Sequence, residues 1–187
     1  MRGSGSGTIL TPVTGITNSM ISLTGTGPRV SNLQCYGGTN IRANNPAIDV
    51  TPTWSPAGTQ IAFTSDRGGS PQIYVMGADG LNLRRVTSES YADRPTWSPA
   101  PFNEIAFAAR TGTGFDIKVL DLATSQTRQI TFSEGTNESP AYSPNGRHLA
   151  FTSTRTGSSQ IFTIDRDGRN ARQVTRDGNN FTPAWSN

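Results

Sequence analysis

The chain has 187 residues, enough for one ordinary domain with a hydrophobic core, and its composition favours short strands joined by tight turns over helices. Gly occurs 20 times and Pro 12 times, whereas hydrophobic residues make up only 33%. The formal net charge is +3, but the arginines are spread singly and form no phosphate-binding tract. We therefore expect no nucleic-acid partner.

Residue counts exclude several kinds of site. Cys35 is the single cysteine and His148 the single histidine, which excludes an intramolecular disulfide and the usual zinc ligand sets. No stretch reaches the apolar length of a membrane span, so we expect no membrane insertion. The N-terminus has neither the basic nor the apolar region of a signal peptide, and "MRGSGSG", residues 1–7, is typical of an expression leader or flexible linker.

Residues 8–48 contain a weak copy of the segment that follows them. "TPVTGITNSMISLTGTG", from Thr11, aligns without gaps on "TPTWSPAGTQIAFTSDR", from Thr51. The copy lacks the Trp-Ser-Pro of the later segment. Two interpretations stay open: a degenerate first blade, or unrelated polypeptide.

Residues 49–187 repeat one pattern three times and begin it a fourth time. The aromatic residues Trp54, Trp97, Tyr142 and Trp185 are 43, 45 and 43 residues apart. Such a period predicts stacked units or propeller blades. Each unit holds four short segments, in the first unit "PTWS", "QIAFTS", "QIYVM" and "LRRVT". We predict an all-β fold, a β-propeller or an arc of one, with three four-stranded antiparallel blades and a C-terminal closing strand at "TPAWSN".

The turns fit this prediction. Gly follows Ala57, Asn145, Asp79 and Asp167 between predicted strands, where tight hairpins need a positive φ. The second unit has "APFNE" and "LATSQ" at these places, which predicts looser hairpins there. The aromatic residue of each first strand is interpreted as a packing anchor between blades rather than a ligand platform.

Catalytic and metal signals are weak. His148 begins a predicted strand, Cys35 has no neighbour in sequence that would activate it, and no Gly-x-Ser-x-Gly elbow is present. "DRDGRN", from Asp165, resembles the start of a calcium loop but lacks the distal Glu, and hairpin chemistry explains it better. We predict no catalytic residue, metal or cofactor, while enzymatic activity stays an open alternative.

The predicted binding site consists of the loops that precede the repeated Pro at positions 52, 95, 140 and 183. In a propeller such equivalent loops converge at the mouth of the central channel. The candidate residues are Asp49, Asp93, Arg94, Asn137, Glu138 and Asn180. Carboxylates and amides gathered there can hold a basic side chain, a peptide terminus, a sugar or a cation. The alternative is that they cap turns and solvate the rim.

Arginines recur in the turn between the second and third strands, in "SDRGG", "AARTG" and "STRTG". We expect Arg67, Arg110 and Arg155 to be equivalent and to lie on one rim. They either form a basic arc for an acidic partner or pair with carboxylates of the blades, and we favour the structural role.

The repeat "PTWSPAGTQIAFTSDRGGSPQIYVMGADGLNLRRVT" resembles the propeller repeat of the TolB family, and the resemblance covers about Asp49 to Ser186. It implies a six-bladed propeller in the periplasm that binds proteins, notably the lipoprotein Pal. The family's N-terminal mixed α/β domain and about half of the blades have no counterpart in this sequence. Similar blades occur in prolyl-oligopeptidase-like peptidases, tricorn-type proteases and oligogalacturonate lyases, so the fold alone leaves activity open.

The main functional hypothesis is a non-enzymatic scaffold that binds a protein or peptide at the channel mouth. The alternatives are a propeller fragment with a hydrolase, lyase or glycan site, and an engineered or evolved fragment without a ligand. Three blades from each of two chains would complete the six that the resemblance implies, so we expect a homo-oligomer such as a closed dimer.

Overall fold

A computed structural model describes residues 35–36 and 47–186 of the chain. Within these residues the secondary structure is all β, with thirteen strands in three antiparallel sheets. The predicted fold class is confirmed. Each sheet corresponds to one sequence unit, and we call the sheets blades 1, 2 and 3 in chain order.

Of the thirteen described strands, twelve fall where the repeat predicts them, and the first, which precedes the repeat, is an additional fifth strand of blade 1. Blade 1 consists of β1 (Cys35–Tyr36), β2 (Ile48–Trp54), β3 (Gln60–Ser65), β4 (Gln72–Gly77) and β5 (Arg84–Arg85). Blade 2 consists of β6 (Ala92–Trp97), β7 (Glu104–Thr111), β8 (Gly114–Asp121) and β9 (Thr127–Gln129). Blade 3 consists of β10 (Asn137–Tyr142), β11 (His148–Ser153), β12 (Gln160–Asp165) and β13 (Arg172–Gln173). The strands of each blade are paired in chain order.

The first and last hairpins of blade 2 are longer, as expected from their missing glycines. The Ser98 amide reaches the Glu104 carbonyl, six residues on, whereas the Ser55 amide in blade 1 reaches Gln60, five residues on. In the last hairpin the Asp121 amide reaches Gln126, whereas the Asp165 amide in blade 3 reaches Arg169. Each blade 2 loop is therefore one residue longer.

Neighbouring blades bury a continuous core between them. At the first seam, Ala62, Ile73 and Val75 of blade 1 pack against a cluster on blade 2, namely Trp97, Ile105, Phe107 and Leu120. At the second seam, Ala106, Ile117 and Val119 of blade 2 pack against Tyr142, Leu149, Phe151, Phe162 and Ile164 of blade 3. Because both faces of blade 2 are covered, its strands are apolar on both sides. Trp97 and Tyr142 are confirmed as packing anchors.

A threonine fastens the outer strand of every blade. The hydroxyls of Thr87, Thr131 and Thr175 accept a bond from the third-strand amide of residues 73, 117 and 161. Each hydroxyl also donates to the side chain that precedes this amide, which is Gln72, Asp116 or Gln160. The repeated threonine is therefore structural.

The first strand of each repeat unit, namely β2, β6 or β10, carries a bulge immediately before the repeated proline. Thr51, Arg94 and Ser139 adopt φ angles of 52°, 54° and 54°, and the strand register shifts at each of these positions. A positive φ is uncommon for a residue that is not glycine. Bulges of this kind change the direction of a side chain and are common beside functional sites.

The predicted features at the two ends of the sequence are described only in part. Most of the predicted N-terminal blade at residues 8–48, together with the leader, lies outside the described residues. Near the C-terminus the Thr182 amide donates to the Thr152 hydroxyl of blade 3, as the Arg94 amide donates to Thr64 of blade 1. Trp185 also donates to the Ala141 carbonyl. The C-terminal segment thus lies against blade 3 where a following first strand would begin.

Candidate functional site

The candidate residues lie on one side of the blades, which we call the front rim. It is formed by the starts of β2, β6 and β10 and by the hairpins between second and third strands; the back rim is the opposite side. Relative to the repeated proline, the candidates occupy successive positions. Asp49, Asn137 and Asn180 lie three residues before it, Asp93 and Glu138 two residues before it, and Arg94 one residue before it.

The side chains three residues before the proline are engaged within the protein. Both carboxylate oxygens of the buried Asp49 accept bonds from Arg67, at 2.8 and 2.9 Å. The fully buried amide of Asn137 accepts a bond from Arg155 and donates to Asp116. The Asn180 amide donates to the Gln160 side chain and to the Asp177 carbonyl. Asp49 therefore stabilises its own blade, Asn137 links blade 3 to blade 2, and Asn180 holds the C-terminal segment against blade 3.

Asp93, Arg94 and Glu138 form a charged cluster across the second seam. Their side chains are 20%, 41% and 33% exposed, respectively. The Arg94 guanidinium donates a 2.8 Å bond to the Ser139 hydroxyl, and its ion pairs with Asp93 and Glu138 are long, at 3.6 and 3.7 Å. Long, partly exposed ion pairs contribute little to stability. The ion pairs of the cluster therefore hold its charged groups only weakly.

The bulge determines how this cluster is built. The Asp93 carboxylate accepts the Arg94 amide at 2.6 Å and the Thr64 hydroxyl of blade 1 at 3.0 Å. The Arg94 amide also donates to the same hydroxyl at 3.1 Å. The backbone of Arg94 is therefore fixed by blade 1, while its side chain reaches blade 3. Residues from all three blades contribute to the geometry.

The three rim arginines are not equivalent, which corrects the expectation drawn from the sequence. The Arg67 guanidinium stacks over Phe63 and Tyr74, and that of Arg155 stacks over Phe151 and Phe162. Both also donate to a serine hydroxyl of their own blade, Ser65 or Ser153. Arg110 lies one position earlier in the repeat, paired with Phe115 in the ladder. The Arg-x-Gly motif of blade 2 starts one ladder position earlier than in blades 1 and 3, so alignment by motif placed Arg110 wrongly.

Arg110 instead stacks on an aromatic pair that is specific to blade 2. Its guanidinium lies 5.6 Å from the centre of the Tyr91 ring and 5.4 Å from that of Phe115, and these two rings meet edge to face at 5.4 Å. Burial raises the pKa of Tyr91, and the carboxylates of Asp93 and Glu138 raise it further. The aromatic pair therefore borders the charged cluster.

The weaker chemical candidates are explained by hairpin structure. His148 is exposed, and its Nδ1 lies 3.0 Å from the Asp165 carboxylate. The other Asp165 oxygen accepts the Asn170 amide, and Asp167 accepts the Arg169 amide, so the calcium-like segment is a capped turn. The described residues contain no group of three or more His, Cys, Asp or Glu side chains placed to hold a metal. They also contain no helix that is long and apolar enough to span a membrane.

A shallow depression of about 290 Å³ lies beside the C-terminal segment on blade 3. Its lining includes His148, Asp165, Asn170, Arg172 and Trp185. His148, Arg172 and Trp185 correspond to Glu104, Arg128 and Tyr142 at the second seam. There Glu104 and Arg128 contact Arg166, and the Tyr142 hydroxyl donates to Glu104. The depression is therefore the counterpart of an interior contact between blades.

The buried ionic cluster at the second seam was not predicted from the sequence. Glu104 is 3% exposed and accepts two bonds from Arg128, two from Arg166 and one from the Tyr142 hydroxyl. Burial raises the pKa of Glu104, but the hydrogen bonds from Arg166 and Arg128 outweigh burial and lower it to about 2. Blades 1 and 3 have Gln60 and His148 at the position of Glu104, so the repeat gave no signal.

Comparison with known proteins agrees with the all-β blades of the structure. The sequence model of the family described as "TolB beta propeller domain" matches residues 30–187. The Tol-Pal system protein TolB of Bordetella pertussis is 32% identical over 153 residues, which is 80% of this chain and 34% of the relative. A protein TolB homolog of Chlorobium luteolum is 33% identical over 119 residues, covering 64% of this chain and 27% of the relative. The chain therefore spans about a third or less of the length of these relatives.

Solved structures give the same picture of the fold. A TolB structure from Acinetobacter baumannii is similar with a TM-score of 0.67 and 27% identity, over 89% of this chain and 43% of that one. A putative TolB from Agrobacterium tumefaciens has a TM-score of 0.70 at 24% identity, over 88% and 61% of the two chains.

Proposed function

Because this chain belongs to the TolB beta-propeller family, we propose that it is a protein-binding scaffold whose partner docks on the front rim. The observation that carries this proposal is the cluster of Asp93, Arg94 and Glu138, which joins two blades through long, partly exposed ion pairs. A partner that supplies shorter ion pairs replaces weak internal contacts without breaking a seam. Asn137 helps to position the strand of blade 3 that carries Glu138, through its bonds to Asp116 and Arg155.

The partner class follows from the relatives. One of them, from Bordetella pertussis, is a protein of the Tol-Pal system. A Pal-like lipoprotein in the periplasm is therefore the partner that we propose for this chain.

The proposal is tested by surface plasmon resonance with the purified soluble domain of a Pal lipoprotein from Bordetella pertussis. The variant Arg94→Asn removes the guanidinium, and asparagine tolerates the positive φ at this position better than most residues. We expect the affinity to fall about tenfold, as for loss of an arginine at the centre of an interface. Glu138→Gln removes the negative charge that blade 3 contributes to the cluster and leaves the backbone unchanged. It is expected to weaken binding about threefold.

The matched control is Arg147→Gln, which removes an exposed arginine from the back rim. It is expected to leave the affinity within about twofold of the parent, because distant surface charges act weakly through screened fields. Absence of Pal binding by the parent at about 100 µM, a very weak affinity, would overturn the proposed partner. Equal losses for Arg94→Asn and Arg147→Gln would overturn the proposed site.

A further inference from the structure

Blade 2 departs from the repeat at three positions that converge on the front rim. In blades 1 and 3, the position of Arg110 holds Asp66 and Thr154. These short side chains accept a hydrogen bond from the backbone amides of Ile48 and Thr136, at 2.9 Å in both cases. Arginine has no acceptor atom, so Arg110 cannot make this contact.

The neighbours of Arg110 change together with it. The residue at the position of Ile48 and Thr136 is Tyr91 in blade 2, and the residue at the position of Pro71 and Ser159 is Phe115. The backbone register is kept, since the Arg110 amide still donates to the Tyr91 carbonyl at 3.1 Å. In blade 2, an exposed guanidinium that stacks on two aromatic rings therefore replaces the hydrogen bond that the short side chain makes in blades 1 and 3.

The Arg110 side chain has no hydrogen bond or ion pair among residues 47–186, which distinguishes it from Arg67 and Arg155. Its aromatic contacts hold the planar group in place without using its N–H donors in hydrogen bonds to residues 47–186. An arginine that is already ordered loses less conformational entropy on binding. A planar guanidinium with free donors matches a carboxylate in two-point geometry.

We infer that Tyr91, Arg110 and Phe115 form a recognition site for a carboxylate on an acidic segment of a protein partner. The inference deepens the proposed function and rests on it, because it supplies the chemistry of the partner at the same rim. Asp93 and Glu138 lie beside the site and would repel the evenly charged backbone of a nucleic acid. An acidic peptide carries its carboxylates on flexible side chains, which can turn away from Asp93 and Glu138, whereas the phosphates of a nucleic acid are fixed along its backbone.

The test titrates the full chain with N-acetylated hexaglutamate at about 50 mM salt and follows the arginine side-chain Nε–H signals by NMR. We expect the Arg110 signal to shift, and a hexaglutamine peptide to leave it unchanged. Arg110→Gln is expected to weaken binding about fivefold, whereas the back-rim control Arg147→Gln changes it less than about twofold. Arg110→Lys keeps the charge but loses the planar donors, so we expect it to restore less than half of the lost affinity.

Two further measurements keep the test decisive. The thermal midpoint of each variant is measured, and Tyr91→Leu, which removes one ring of the platform, is expected to weaken hexaglutamate binding about threefold in a folded protein. Equal losses for Arg110→Gln and Arg147→Gln would overturn the inference, as would equal binding of a thymidine hexanucleotide. Because no Pal domain is used, failure here with intact Pal binding would remove the carboxylate site and leave the proposed function standing.

Discussion

Arg166 of blade 3 donates two hydrogen bonds of 2.7 Å to the carboxylate of Glu104 in blade 2. The same guanidinium lies 4.0 Å from the centre of the Phe102 ring, so it is held by charge and by packing together. Arg128 of blade 2 also donates to both oxygens of the carboxylate. This cluster joins blades 2 and 3 through a specific contact in addition to their apolar core.

Replacing Glu104 with Gln should weaken this seam. The variant removes the charge that two arginines share in a mostly buried place, and we expect the free energy of unfolding to fall by about 2 kcal/mol. Chemical unfolding in urea measures the change. The control Glu134→Gln alters an exposed ion pair with Arg155 and should cost less than about 0.5 kcal/mol. Equal costs for the two variants would contradict the importance of the seam cluster.

The same carboxylate predicts how stability depends on pH. The pKa of Glu104 is lowered from 4.5 to about 2 in the folded protein. When the pKa of a carboxyl group is lower in the folded protein than in the unfolded chain, the ionised group stabilises the fold. This stabilisation is complete above the pKa of the unfolded chain and is lost as the pH falls toward the pKa of the folded protein. We expect the parent to lose more stability than Glu104→Gln between pH 4.5 and about 2. Urea unfolding curves across this range measure the free energy of unfolding of both proteins. The same dependence on pH in the parent and in Glu104→Gln would contradict the prediction.

Arg155 and Arg110 should differ in their effect on stability although both stack on aromatic rings. Arg155→Gln removes the bonds to Ser153, Asn137 and Glu134, and we expect a loss of about 1 to 2 kcal/mol. Arg110→Gln removes an exposed group and should change stability by no more than about 0.5 kcal/mol. Thermal unfolding compares the two directly. Similar losses would mean that Arg110 is a structural residue after all.

The open side of blade 3 predicts self-association. Val174, Phe181 and Trp185 are exposed there, with Trp185 at 39%, although the aromatic residues at the same position in blades 2 and 3 are buried. We expect light scattering on a sizing column to give a mass above that of the 20.0 kDa chain at high concentration. Phe181→Ser combined with Trp185→Ser should shift the protein toward the monomer. A chain that stays monomeric at every concentration would contradict the homo-oligomer expected from the sequence.

The strands were predictable because each carries its own local signal. Short apolar runs such as that in Gln60–Ser65, bounded by turns with glycines such as Gly58 and Gly146, specify strand and turn without reference to distant residues. The packing role of Trp97 and Tyr142 was predictable as well, since a repeated aromatic residue follows from repeated geometry. The longer hairpins of blade 2 were also predictable, because its first and last turns lack the glycine that the other blades have there.

The candidate site was predictable only as a region. The sequence placed six polar residues before the repeated prolines, but a shift of one residue separates buried Asp49 and Asn137 from partly exposed Asp93 and Glu138. Neighbouring side chains of a strand point to opposite faces, so the register decides which residues reach solvent. Arg110 was misassigned for the same reason.

The sequence by itself determined the all-β blades, their number among the described residues and the apolar faces that require neighbours. These follow from local periodicity and turn chemistry, which act over a few residues. The tertiary structure decided which charged groups are internal and which remain available. Glu104 and Arg166 are 62 residues apart and meet only because two blades pack side by side, and no local pattern encodes the partner that a polar group finds across a seam.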